Sequence, residues 1–187
     1  MTTKKTEGLT MGAENQSKLR VSYRKFYGIR KLICTEFSQR FNYDMMMSSL
    51  AEILKFGDTQ PAIVYSAKPL VVSAYSDELD AVLFLEFPDE LTDKYELSRG
   101  DRLTTACTYT PFGYGDPATD IDPGEKRSGQ FIDFTPVVQL FYGANDKKIK
   151  AKTELFTEET WQRVTELTEA RAPSAPKRDG FGFMKKQ

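Results

Sequence analysis

The chain has 187 residues, 40% hydrophobic and 28% charged, with a net charge of −1, which is the size and balance of one domain whose core needs no metal or disulfide. Histidine is absent and there are two cysteines, excluding Ser-His and Cys-His nucleophile systems, histidine-containing zinc sites and four-cysteine zinc sites. Cys34 and Cys107 each lie in an apolar stretch and read as buried free thiols, the N-terminal stretch lacks an apolar signal core, and no run reaches the roughly 20 apolar residues of a membrane span; a soluble cytoplasmic protein with no membrane contact is expected.

Residues 1–17 lack periodicity and read as a flexible tail. From Lys18, the residues Leu19, Val21 and Tyr23 alternate with Arg20, Ser22 and Arg24, and this two-residue period predicts a strand over 18–27 that ends at Gly28. Leu32, Ile33, Glu36, Phe37 and Phe41 follow helical spacing, and a second helix is predicted over 43–56, with Met46, Leu50, Ile53 and Leu54 on one face. Residues 61–66, 69–75 and 80–87 are short runs rich in Val, Ile and aromatics, separated by turns, and predict an antiparallel meander. A short helix opens at Pro88, and Gly100 releases the chain into a strand over 102–109, where Leu103, Thr105, Cys107 and Tyr109 share one face. Residues 111–130 hold four glycines and three prolines and form a long loop. A last strand is expected over 131–134 and 137–142, interrupted at Pro136. The closing helix has Thr157 as N-cap, Glu158 and Glu159 in its first turn and Phe156 stapled to Trp161; Pro173 and Pro176 stop it. Residues 172–187 read as a mobile basic and aromatic tail, leaving 18–171 as one α+β domain.

The predicted class is therefore α+β, an antiparallel β-barrel or strongly curved sheet with N-terminal helices and a C-terminal helix added. The order of three strands, short helix and two strands over 61–142, with the passage FPDELTDKYELSRGDRLTTACTY, resembles the OB-type barrel. That resemblance implies that residues 111–130 are a ligand-contacting loop.

Charge is unevenly spread. Residues 1–55 hold ten basic and five acidic side chains, residues 56–125 four and fourteen, and residues 126–187 twelve and eight. An acidic middle between basic flanks fits either packing between protomers or a basic ligand face opposite an acidic one. In KLRVSYRKFYGIRK, residues 18–31, six cations interleave with aromatic rings. Cations neutralise phosphates while rings stack on unpaired bases, so Arg20, Tyr23, Arg24, Lys25, Tyr27 and Lys31 are candidate single-strand contacts. The alternative is an edge strand whose charges protect it from pairing. Phe112 and Tyr114, with Lys126 and Arg127, offer rings and cations on the long loop and complete the candidate nucleic-acid site; equally, the rings could plug the barrel.

The acids of DPATDIDPGE, residues 116–125, have the wrong spacing for a calcium loop and read as a solvated turn; no metal and no cofactor is expected. The tail's Phe181 and Phe183 suit a motif that orders on a protein partner. The expected function is a non-enzymatic, single-stranded nucleic-acid-binding barrel of little sequence preference. The other reading is a protein-interaction or assembly subunit, a homo-oligomer whose tails recruit partners.

Overall fold

The computed structural model describes residues 15–180; the aromatic motif at Phe181 and Phe183 and residues 1–14 of the tail expected over 1–17 lie outside them, while residues 15–17 are corrected to part of the fold, Gln16 bridging to Asp58 and Ser17 being buried. Three helices come first: α1 (Tyr23–Ile33), α2 (Phe37–Met45) and α3 (Met47–Phe56). The strand expected over 18–27 is corrected. The chain is extended only through Val21, which bridges to Gly143. Ser22 then caps a helix by accepting from the Lys25 N–H, and Lys25, Phe26 and Ile29 form its buried stripe. Helical spacing of Phe26 and Ile29 overrides the short alternation before it, and Gly28 lies within the helix rather than ending a strand.

The meander follows as β1 (Asp58–Ala67), β2 (Leu70–Ser76) and β3 (Ala81–Phe87), then α4 (Glu90–Tyr95), β4 (Arg102–Pro111), the long loop and β5 (Phe131–Val138). β5 runs through Pro136, which pairs with Cys107. As an outermost strand, β5 has a free side on which the missing N–H costs nothing. Residues 139–142, expected as strand, form a short helix, α5 (Gln139–Tyr142). Every side chain in that turn is buried, and a continuous apolar run has the same appearance in a buried helix as in a buried strand. The basic link beyond it folds as α6 (Asp146–Ala151) and a 3-10 turn (Lys152–Leu155). The last helix, α7 (Glu158–Arg171), starts as expected, with Thr157 accepting from the Thr160 N–H and the Phe156 and Trp161 rings 5.7 Å apart edge to face.

One six-stranded sheet results, in the order β5-β4-β1-β2-β3-β6 and curled through 266° into a half-barrel. β6 (Lys177–Asp179) lies in a segment expected to be tail; it pairs parallel with β3, Phe84 opposite Lys177 and Glu86 opposite Asp179. All other pairs are antiparallel.

Alternation divides β1, β2 and β3 between two cores. Ala62, Val64, Leu70, Val72, Leu83, Leu85 and Leu103 join the main core with Phe26, Leu54 and Phe141. Ile63, Val71, Tyr75, Val82 and Phe84 face the other way, under Trp161 and Val164 of α7. Burying each such side chain contributes about 1.5–3 kcal/mol. β2 is thus buried along its whole length, which is why it reads as an unbroken apolar run.

A clasp joins the free edges. Arg178 of β6 holds Asp120 of the long loop through two bonds of 2.6 Å and Asp133 of β5 through one of 3.0 Å, and donates to the Phe134 carbonyl at 3.3 Å. Among the described residues, no helix is long and apolar enough to cross a membrane.

Candidate functional site

The expected contacts in the N-terminal segment divide by how the backbone turns there. Residues 17–19 run along the end of α3, where the Ser17, Lys18 and Leu19 N–H groups donate to the carbonyls of Gly57, Lys55 and Leu54. These carbonyls have no partner within the helix, so the segment caps α3 and brings Lys18 beside Lys55. Past it, Arg20 accepts from the Ala144 N–H through its carbonyl and leaves its side chain in solvent.

An open groove of about 660 Å³ lies between the segment and α3, lined by Gln16, Lys18, Leu19, Arg20, Val21, Tyr23, Ala51, Lys55 and Phe56. Among the described residues that line it are three cations, two aromatic rings and no acid. Tyr23 is 63% exposed, and the Lys55 ammonium sits 4.6 Å from the Phe56 ring centre. Arg24, Tyr27 and Lys31 continue the exposed surface along α1, with the Arg30 guanidinium 5.4 Å from the centre of the Tyr27 ring.

Lys25 does not belong to this surface. It is buried, and its ammonium donates to the carbonyls of Leu140 and Gly143 at 2.7 and 2.9 Å and to Asp146 at 2.5 Å. Three oxygen acceptors offset the desolvation of its charge, so Lys25 ties α1 to α5 and α6 and is unavailable to a ligand.

The loop half of the expected site stands elsewhere. Phe112 and Tyr114 are exposed where β4 leaves the sheet, next to the pairing of Pro111 with Phe131. Ser22 and Tyr23 lie by Tyr142, just past the opposite end of the same ladder, where Thr105 pairs with Val138. A ladder of this length separates its ends by about 20 Å. The two groups of rings therefore do not form one surface.

The rest of the loop is fastened down. Gly124 and Ser128 donate their N–H groups to the carbonyls of Leu79 and Glu78, and the Lys126 N–H donates to Asp80. A Cβ at Gly124 would collide with Asp80, so only glycine permits this approach. The side chains of Lys126 and Arg127 are exposed, Arg127 reaching the Pro123 carbonyl at 3.4 Å. The acids read as a solvated turn are partly engaged: Asp120 takes Arg178 and Asp122 takes Arg171 at 3.1 Å.

Burial alone would raise the Asp120 carboxyl, but the Arg178 guanidinium holds it below the ordinary carboxylate range. Asp80 behaves in the same way: burial would raise it, while Arg163 at 2.6 Å and the Lys126 N–H lower it.

Two polar features had no sequence signal. The Gln60 amide donates to both Asp58 and Asp77, at 2.8 and 2.9 Å, with the Tyr109 hydroxyl 3.5 and 3.4 Å from the same carboxylates. These bonds tie β1, β4 and the β2–β3 turn together, a structural role. Beside the α3 cap, Lys152 is buried against the Ser17 carbonyl at 2.5 Å, and burial pushes its ammonium down to about 8. Lys18, Lys55 and Phe56 were also missed as groove residues. Lys18 opened the basic stretch, but only the cap on α3 places Lys55 and Phe56 across from it.

These features define an α+β protein with a curled six-stranded sheet and a basic, aromatic groove beside it. No protein-family model matches the chain. Neither the curated proteins nor the solved structures give a significant match.

Proposed function

We propose that this protein binds single-stranded nucleic acid with little sequence preference, along the groove between residues 16–23 and the end of α3. The observation that carries the reading is the groove's composition: Lys18, Arg20 and Lys55 around the exposed ring of Tyr23, with no carboxylate among the described residues of the lining. Cations there attract backbone phosphates, and a ring accepts any base because every base has a π-face. Arg24, Tyr27 and Lys31 extend the path along α1.

The strand order β3-β2-β1-β4-β5, with α4 between the third and fourth strands, supports an OB-type barrel as the scaffold. In that fold the face of the second and third strands is the usual ligand surface. Here α7 covers it, with Trp161 and Val164 buried against Ile63, Val71 and Phe84. The proposed path is accordingly the N-terminal groove. Among the described residues, the acids of the chain's middle lie outside the lining of that groove.

The test is fluorescence anisotropy with a labelled oligonucleotide over a salt series. Binding that weakens as salt rises is expected, and the triple variant K18E/R20E/K55E should lower the salt slope by about 2, at about 0.7 for each phosphate no longer neutralised. No binding at low salt, or a triple variant that binds like the wild type, overturns the proposal.

A further inference from the structure

A separate pocket of about 380 Å³ opens where β6 ends, between Ile29 and Ile33 of α1, Phe87 and Pro88 at the end of β3, and Gly180. Ile29 and Phe87 are buried there, while Ile33 is 41% exposed and forms an open apolar wall.

The clasp fixes how the chain reaches this pocket. Arg178 is held by Asp120 and Asp133, and Asp179 pairs opposite Glu86 in the ladder with β3. Gly180 comes next, its backbone lying against the Phe87 ring. A Cβ there would collide with that ring, so only glycine permits the approach. In the sequence, Phe181, Gly182, Phe183, Met184, Lys185 and Lys186 follow.

We infer that the chain's own residues 181–184 fill this pocket, the Phe181 ring seated against Ile29, Ile33 and Pro88, so that the C-terminal segment straps α1 to the sheet. Consecutive Cα atoms are about 3.8 Å apart, so Phe181 begins beside a residue of the pocket wall whatever path the chain takes. A ring tethered this closely has a high effective concentration against any separate molecule. Charge favours the same occupant. Among its described residues the lining holds two acids, Glu86 and Asp179, and no cation, whereas residues 181–186 hold Lys185 and Lys186 and no acid. The two acids disfavour a phosphate backbone in the pocket.

The experiment is nuclear magnetic resonance of the full chain with labelled isoleucine methyl groups. An aromatic ring shifts the resonances of methyls packed against it, so Phe181→Leu should move the signals of Ile29 and Ile33 and leave those of Ile63 and Ile149. Nuclear Overhauser contacts from these two methyls to the Phe181 ring are expected within one molecule. Phe181→Ala should lower the melting temperature by about 4–8 °C. Ile33→Ala should then cost less in that background than in the wild type, because the two side chains share one contact.

Methyl signals and a melting temperature indifferent to Phe181 overturn the inference. Signals that answer to Phe183→Leu in place of Phe181→Leu overturn the seating of Phe181. Ring contacts that appear only between differently labelled molecules would give the pocket to a second copy, and Ile29 and Ile33 signals moved by an added oligonucleotide but not by Phe181→Leu would give it to nucleic acid; either result overturns the strap. The anisotropy test with K18E/R20E/K55E reads the groove independently of all these outcomes.

Discussion

The edge formed by β6, α7 and the long loop and the face formed by residues 16–45 both carry arginines and aromatic rings, yet they use them in opposite ways. At the first, Arg178, Arg163 and Arg171 each meet a carboxylate, and Trp161 lies under the Arg102 guanidinium at 4.9 Å. At the second, Tyr23, Tyr27, Phe37 and Phe41 are exposed, and Lys18, Arg20 and Lys55 line a groove with no acid among its described residues. The same residue types close a half-barrel where carboxylates of the chain meet them, and stand exposed along the groove, where none lines it among the described residues.

The largest effect that would break this contrast is at the clasp. Arg178 and Asp120 are 5% and 2% exposed, so Arg178→Ala, which leaves a buried carboxylate unpaired, should destabilise the protein by about 3–5 kcal/mol in chemical denaturation. A loss no greater than that of a surface arginine would place the clasp outside the cooperative fold.

The pH dependence sharpens the same point. Because Asp120 and Asp80 titrate below their ordinary range when folded, the unfolded chain binds their protons first as pH falls. Their contribution is present above the ordinary carboxylate range, near pH 4, and is lost as pH drops through the depressed folded values. Asp120→Asn should be less stable at neutral pH and show a shallower loss between about pH 4 and 2, read by thermal melts across a buffer series.

Lys25 tests the boundary between the two regions, since it lies in the basic stretch but is bonded inward. Lys25→Met removes a charged donor from three acceptors and should cost about 1.5–3 kcal/mol or more, with oligonucleotide affinity unchanged at temperatures where the variant is folded. Reduced affinity at undiminished stability would return Lys25 to the ligand face.

The smallest effects are at the exposed rings. Tyr23→Ala should weaken oligonucleotide binding by about 1–3 kcal/mol, one stacked base, with little change in melting temperature. Phe112→Ser and Tyr114→Ser, at the far end of the β4–β5 ladder, should leave affinity unchanged. An equal loss from Phe112→Ser would mean that a strand spans both ends of the barrel.

Much of the fold was legible because its signals are local. The meander, the strand over 102–109 and the Thr157 cap of the last helix follow from two-residue alternation, turn residues and capping chemistry, and all appear in the structure. The errors fall where two periods compete or neither shows. Leu19, Val21 and Tyr23 alternate over too few residues to outweigh the helical spacing of Phe26 and Ile29. Residues 139–142 are buried on every side, so no polar face reveals their period. Lys177 to Asp179 carry no strand signal of their own; they pair because β3 offers an open edge and Asp120 and Asp133 wait for Arg178.

The sequence by itself determined the α+β class, the strongly curved sheet and the presence of a basic, aromatic N-terminal stretch, because periodicity, turn chemistry and composition act over a few neighbouring residues. Only the tertiary structure decided which of those cations face solvent. Lys55 joins Lys18 because residues 17–19 cap α3, and Lys25 points inward because the Leu140 and Gly143 carbonyls lie beside α1. Those two acceptors are 115 and 118 residues away from Lys25 in the chain, beyond the reach of any local pattern, and the burial of charge depends on who stands opposite rather than on what stands next in line.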